Sequence, residues 1–421
     1  MSGFLNQRLC DGAVNQISTV VFMNFRKLKD CVVTNKNVLV RVDINVPVVN
    51  GVIEDDTRIR AVIPTLKYLV EQKAKVIVIS HFGRPEGKFE APMSLRQLVE
   101  RVQELLGSKV SFVDDCIGEK VRNAVATAEY GEVIMLENLR FYKGETKNDS
   151  VFAQELASLG NLYVNDAFSC SHRAHASITG IAAILKSCAG LLMEEELNNL
   201  SKHLENAQKP MMAVVGGAKV STKLDLLNAL STKAQSIIVG GGMANTFLYA
   251  LGHNVGKSLC EKDLKDTALQ IIAQAKKNNC QILLPKDVVV TDKFEEGAKC
   301  RVVPISQVQD HDIIVDVGCD AIVEFSAILA QHKTLVWNGP LGAFEIRPFN
   351  IGTESFARVA ASLTRQGKII SVSGGGDVVS ALNASGLIDE FTYISTAGGA
   401  FLEWLEGRVL PGVEVIMQQS H

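Results

Sequence analysis

No two of the nine cysteines stand at C-x-x-C spacing. They fall at 10, 31, 116, 170, 188, 260, 280, 300 and 319. An odd, unpatterned set in a long chain forms no zinc signature or disulfide frame, and reads as reduced thiols of the cytoplasm. Long apolar runs are also missing, since none reaches the ~18 residues that span a bilayer. The nearest, ITGIAAILKSCAGLLM at 178–193, is interrupted by Lys186 and reads as a buried helix followed by a loop. There is no basic surplus: 43 Lys and Arg stand against 46 Asp and Glu, a formal charge of −3. That balance argues against general nucleic-acid binding. Residues 1–22 lack the basic and apolar regions of a secretory signal. With Met23 directly after them, they are expected to be a disordered extension or a start-site artefact. No stretch has the composition of a low-complexity linker.

What the sequence does contain is alternation. Short β-branched runs (NVLVRVDINV, AKVIVIS, EVIMLEN, LYVNDA, MMAVVGG, SIIVGGG, QILLP, KTLVWNG, KIISVSGGG) are separated by amphipathic stretches such as LRQLVERVQELLG. Near-continuous apolar strands alternating with helices predict an α/β fold whose parallel sheets are covered by helices on both faces. The length of 421 residues and 47% hydrophobic content suit two lobes, each with its own core. The polar stretch EEELNNLSKHLENAQKP, 194–210, is the expected connector helix.

The strand ends differ between the halves. In the first half they carry charge: Arg41, Asp43, Asn45, His81, Arg84, Arg140, Asp166, His172 and Arg173. In the second they carry glycine, in VVGGAK, VGGGMA, WNGPLG, SGGGDV and STAGGA. Open α/β sheets bind ligands beyond the carboxyl ends of their strands. One lobe therefore offers arginine forks to a small anion, and the other offers backbone N–H groups to nucleotide phosphates. A phosphoryl-transfer enzyme follows from that pairing.

Rival nucleotide folds fail on motif. The G-x-G-x-x-G fingerprint is absent, which disfavours an NAD-dependent oxidoreductase. GHNVGKS (252–258) is one residue short of a P-loop, with Leu251 in place of the first glycine, and it follows a helical pattern. The H-R-D and D-F-G pair of protein kinases is also missing. GGAKVSTK (216–223) places Lys219 and Lys223 one turn apart at an expected helix start after a strand and two glycines. SGGGD (373–377) repeats the device with a carboxylate, which is an N-cap or, beside a polyphosphate, a Mg²⁺ ligand.

The ordered motifs RVDINVP (41–47), SHFGRP (80–85), ENLRF (137–141), HRAHAS (172–177), GGAKV (216–220), GGGMANTF (240–247), WNGPLGAFE (337–345) and GGGD (374–377) resemble those of the phosphoglycerate kinase family. The resemblance covers about residues 23–421. It implies two Rossmann-like lobes joined by a hinge helix: a 3-phosphoglycerate lobe at 23–193, the connector at 194–210, and a nucleotide lobe at 211–400. Residues 401–421 are then expected to return to the first lobe. It implies reversible phosphoryl transfer between ATP and the carboxylate of 3-phosphoglycerate in glycolysis, by a cytoplasmic monomer using Mg²⁺ and no nucleic acid or membrane.

Carried over, substrate contacts fall on Asp43, Asn45, Arg58, His81, Arg84, Arg140 and Arg173. Arg58 and Lys219 are the implied catalytic groups. Nucleotide contacts fall on Gly216, Lys219, Lys223, Gly241, Asn338, Glu345, Gly374, Gly375, Gly376, Asp377 and Val378, with Asp377 as the metal ligand. Three positions depart from the family. Val378 replaces a hydroxyl residue after GGGD, so Val378→Thr is expected to lower the nucleotide KM. Ala397 replaces the first glycine of STGGGA, and DAFSCS (166–171) stands for DAFGTA.

Other readings are bland or competing. His172 and His175 could form a metal pair but have no suitably spaced third ligand. Cys170 beside the basic cluster could have a lowered pKa, though an ordinary small residue is the simpler reading. Trp337 and Trp404 are read as packing residues. The competing class is a non-catalytic descendant that keeps both lobes for binding.

Overall fold

In the computed structural model, which describes residues 25–395 and 397–417, two six-stranded sheets each carry helices on both faces. The expectation for residues 1–22 lies outside the described residues. The first sheet runs, edge to edge, Val110–Val113, Val133–Leu136, Lys75–Ile79, Asn37–Val42, Leu162–Asp166 and Ser187–Ala189, all parallel. Its central strands are buried at nearly every residue, as apolar runs covered on two sides must be. The second sheet runs Gln281–Leu283, Ser236–Val239, Met211–Val215, Thr334–Asn338, Ile370–Gly374 and Tyr393–Ser395, also parallel. Counted in its own chain order this is 3-2-1-4-5-6, the doubly wound order whose ligand crevice opens where strands 1 and 4 diverge.

Two departures from the sequence expectation concern strands. A three-stranded antiparallel sheet (Cys300–Pro304, Asp287–Thr291, Ile313–Val317) is added to the second lobe, so not every sheet is parallel. Residues 178–193 hold the expected helical start and loop but also a strand and the start of another helix. A wide turn at Ala176–Gly180 leads to the strand Ser187–Ala189, which pairs with Leu162–Asp166.

The connector begins earlier than the polar stretch suggested. The helix Leu191–Leu200 continues into a wider turn at Ser201–Glu205 before the second sheet starts at Met211. Its buried face is Met193, Glu196, Leu197 and Leu200. Glu196 accepts hydrogen bonds from the Tyr393 hydroxyl and, at 3.0 Å, from Ser395 Oγ, on the last strand of the second sheet. The helix Pro411–Met417 crosses back to the first lobe. There Gly412 N donates to Ser171 O at 2.8 Å and Asn165 Nδ2 donates to Gly412 O at 3.1 Å. Among the described residues no helix is long and apolar enough to cross a membrane.

Candidate functional site

The first crevice grows from strand ends. Arg41, next to last in Asn37–Val42, is only 1% exposed. Its guanidinium is satisfied by the Val42 carbonyl, by Ser177 Oγ at 2.9 Å and by His81 Nδ1 at 3.1 Å. Sequence reasoning noted Arg41 only as a strand-end charge; its burial makes it the fixed centre of the cluster. Arg58 stands in the first turn of the helix Thr57–Glu71, an unfavourable dipole end for a cation. Asp43 compensates, taking Arg58 Nη1 at 3.2 Å, while a second bond from Nη1 reaches Asn45 O at 3.0 Å. The Asn45 side-chain oxygen accepts from Gly83 N at 2.9 Å, and Arg140 Nη1 donates to Gly83 O at 2.6 Å. Arg173 Nε donates to His172 Nε2 at 3.0 Å. Arg84 is exposed at the rim.

All seven expected acid-side residues thus line one crevice of about 290 Å³, whose far wall is Ala397, Gly398 and Gly399 from the other lobe. Its electrostatics call for an anion. Burial, then repulsion from Arg173 and Arg41, push the Arg140 guanidinium down to about 10. Burial and the Arg41 charge hold His81 well below its ordinary pKa, and therefore neutral. Burial opposes ionisation of Asp43, yet neighbouring His81, then Arg58, the Ser169 hydrogen bond and Arg41, outweigh it together, so its pKa lies below the usual carboxylate range.

The DAFSCS departure now has a physical account. The Ser169 hydroxyl donates to Asp43 Oδ2 at 2.5 Å, a bond that glycine could not make. Cys170 lies 3.7 Å from Arg41 Nη2, but burial raises its thiol pKa, against the activated-thiol reading.

The second crevice lies at the switch point of the second sheet. Gly216 N donates to Asn338 O at 2.9 Å, joining the ends of strands 1 and 4. Lys223 Nζ donates to Gly216 O at 2.6 Å and to Asn338 Oδ1 at 2.5 Å, and Asn338 Nδ2 donates to Gly374 O at 2.6 Å. The glycine turns at Gly216 and Gly374 are thereby tied together by one lysine and one asparagine. Lys219 and Lys223 do not share a helix, contrary to expectation. Lys219 precedes the short turn Val220–Thr222 and is exposed, whereas Lys223 precedes the helix Leu224–Lys233 and points inward. Burial, partly offset by Asp377, lowers the Lys223 pKa to about 8.

A cleft of about 350 Å³ adjoins these turns, lined among others by Gly217, Gly241, Gly242, Glu345 and Asp377. Gly216, Gly374 and Gly375 form the turns behind it, and exposed Gly376 opens the helix Gly376–Ala384 with Asp377 in its first turn. Val378 offers the nucleotide no side chain. Its side chain is fully buried in the core cluster that also holds Trp337 and Leu382, so only its backbone is left to face a phosphate. Ala397 is likewise taken up by the core, at 3% exposure. Sequence reasoning missed the apolar wall of this cleft, made by Leu259, Phe294, Ile313, Ile314 and Val315. The signal was the IIVDV run at 313–317, which has the composition of a strand.

Among the described residues, His172 and His175 join no metal-ligating trio. Burial, then nearby arginines, lower the His175 pKa to about 4. Asp43, His81 and Cys170 do approach within 4.8 Å of one another. The Arg41 guanidinium, 3.1 Å from the His81 ring, opposes a cation there.

A family model described as phosphoglycerate kinase matches residues 28–408. The chain is 53% identical to the phosphoglycerate kinase of Rhodospirillum centenum over 94% of this chain and 100% of that one. It is 52% identical to that of Ruegeria pomeroyi, with the same coverage. The solved phosphoglycerate kinase structure from Coxiella burnetii superposes with a TM-score of 0.86 at 43% identity, over 94% and 100% of the two chains. That from Pyrococcus horikoshii gives 0.81 at 31% identity, over 94% and 99%.

Proposed function

The chain belongs to the phosphoglycerate kinase family, and on that premise we propose how its residues divide a reversible phosphoryl transfer between ATP and the carboxylate of 3-phosphoglycerate. The observation that carries the assignment is the crevice in which Arg58, Arg140 and Arg173 of one lobe face the Ala397–Gly399 turn of the other. A crowded cationic pocket with a depressed arginine pKa is stabilised by an anion, and 3-phosphoglycerate supplies two.

In this reading Arg84, Arg140 and Arg173 hold the phosphate end, with His81, Asn45 and Asp43 on the carbon chain. Arg58, held by Asp43, reaches the carboxylate. The nucleotide lies along the second crevice, its base against the apolar wall of Ile313–Val315 and its ribose at Glu345. Its phosphates rest on the turns at Gly216, Gly241 and Gly374–Gly376, with Lys223 and Asn338 behind them and the Val378 N–H at the helix start. Asp377 is the one carboxylate of that set. A single exposed carboxylate beside polyphosphate fits Mg²⁺, which keeps most of its coordination for phosphate oxygens and water. The ion neutralises phosphate charge.

The acceptor carboxylate is already ionised at neutral pH, so no general base is required. Arg58 and exposed Lys219 neutralise the moving phosphoryl between the lobes, and the glycine N–H groups orient it. The first lobe runs from 23 to the connector helix at Leu191 and the second is the 211–400 segment, the tail from 401 returns to the first, and closure turns about the connector. Monomeric state and a cytoplasmic location complete the reading, the latter supported by eight unpaired cysteines among the described residues.

A coupled assay with ATP, Mg²⁺ and 3-phosphoglycerate tests the whole. Turnover that is lost on chelation supports it, whereas binding of both ligands without turnover would leave the non-catalytic reading. X-ray scattering with both substrates should show compaction; an unchanged radius of gyration would remove the hinge.

A further inference from the structure

Two thiols outside both crevices meet where the chain enters the connector. Cys31 closes the short helix Leu28–Asp30, is part-exposed, and lies with Sγ 3.5 Å from Lys27 O. Cys188 is the middle residue of the edge strand Ser187–Ala189 and is fully buried. The two segments are laced together. Lys27 bridges Ala189 in parallel fashion, and Ala189 N donates to Arg26 O at 2.9 Å. Lys27 Nζ pairs with Glu194 Oε1, on the connector helix, at 2.8 Å. Cys31 packs on the apolar cluster that contains Cys188, close enough for the two thiols to influence one another.

From this geometry we propose that Cys31 and Cys188 form a peroxide-responsive dithiol, with Cys31 as the attacking sulfur and Cys188 as the resolving one. The asymmetry of the pair suits those roles. The contact with Cys188, opposed by burial and helped by Arg26 and Lys36, lowers the Cys31 pKa to about 7. The contact with Cys31, then burial, raises Cys188 well above its ordinary value, so the part-exposed sulfur gives up a proton more readily than the buried one. Burial raises the pKa of Cys116, Cys170 and Cys280, which makes them poor nucleophiles.

The Cys31 thiolate displaces hydroxide from hydrogen peroxide and becomes a sulfenic acid. Loss of its negative charge removes what held the Cys188 proton in place. The Cys188 sulfur then displaces hydroxide from Cys31, its own proton leaving in water. In sum, two thiols and one peroxide give one disulfide and two waters, and a dithiol reductant reverses it. The bond fastens the N-terminal segment to the strand that leads through Gly190 into the connector helix.

The test uses the full chain. After treatment with one equivalent of hydrogen peroxide, free thiols are alkylated and the protein is digested without reductant. The expected result is a peptide pair joined through Cys31 and Cys188, two hydrogens lighter than the sum, which separates on dithiothreitol. In Cys188→Ser the oxidation should stop at a Cys31 sulfenic acid, trapped by a dimedone probe; Cys188→Ala serves if the serine disturbs folding. Cys31→Ser should give no joined peptide. No joined peptide in the native chain, or oxidation of Cys31 no faster than of exposed Cys300, overturns the proposal.

Discussion

The Lys223 ammonium donates to the Asn338 side-chain oxygen at 2.5 Å, across 115 positions of sequence. That contact ties the turn after strand 1 of the second sheet to the end of strand 4. Asn338 in turn holds the Gly374 carbonyl, so a lysine at one strand exit governs two glycine turns at others. Its charge is held against burial, which gives it a pH signature.

Burial lowers the Lys223 pKa to about 8, so the free enzyme loses this proton as pH rises through that value. Bound phosphate keeps the proton on and so raises the pKa in the complex. Nucleotide affinity should therefore be full below pH 8 and fall by up to about tenfold per pH unit above it. The fall ends at the higher pKa of the complex. Calorimetric titration of ADP across pH 7–10 measures this, and Lys223→Gln should flatten the curve.

Arg58→Ala and Lys219→Ala should reduce kcat by roughly 10²–10³, the scale for losing one preorganised charge on a developing anion. KM should change far less. Asp43→Asn should lower kcat by a smaller factor, because Asp43 fixes Arg58 at 3.2 Å without carrying the charge itself. Equal losses in kcat and substrate affinity for Arg58→Ala or Lys219→Ala would contradict these roles.

Gly375 has φ of +108° and, with a Cβ, would place it 2.4 Å from Asn338 Nδ2. Gly375→Ala should cost about 2–3 kcal/mol, from backbone strain and the displaced asparagine. Nucleotide affinity should drop with it. At Gly216 a Cβ would meet Pro340 O at 1.8 Å, a backbone clash with no side chain to yield, so Gly216→Ala should be the worse of the two. Denaturant melts of both variants give the order.

Val378→Thr reverses the outcome anticipated from sequence. With the side chain buried in the core, the new hydroxyl enters an apolar cluster instead of reaching a phosphate. Thermal unfolding should show a loss of about 1–3 kcal/mol. The nucleotide KM should not improve; a clear decrease in KM would show that the helix start turns this residue outward.

Tyr393→Phe removes the hydroxyl that donates to Glu196 across the junction, leaving Ser395 Oγ on that carboxylate. A hydrogen bond to a charged acceptor contributes about 1.5–3 kcal/mol. The variant should melt earlier by that margin, and amide exchange in the connector Leu191–Leu200 should quicken.

Much of this molecule was legible locally. A parallel strand covered on both faces must be apolar along its length, so nine of the runs read from sequence are strands of the two large sheets. Glycine turns and strand-end charges are equally local, which is why six of the seven acid-side residues stand out in the sequence, whereas Arg58, on a helix, comes only from the family resemblance. Direction was not legible. Val378 and Asp377 are neighbours on one helix start, and only the packing of that helix on the strand Ile370–Gly374 and the helix Ile351–Arg365 decides which faces solvent. Lys219 and Lys223 look alike in sequence, yet one is exposed and the other is drawn inward by Asn338. Cys170 beside arginines reads as an ordinary small residue over an activated thiol, and its burial, a property of the whole lobe, raises its pKa accordingly. Charge and periodicity are written residue by residue, whereas burial and long-range pairing exist only once distant segments have met.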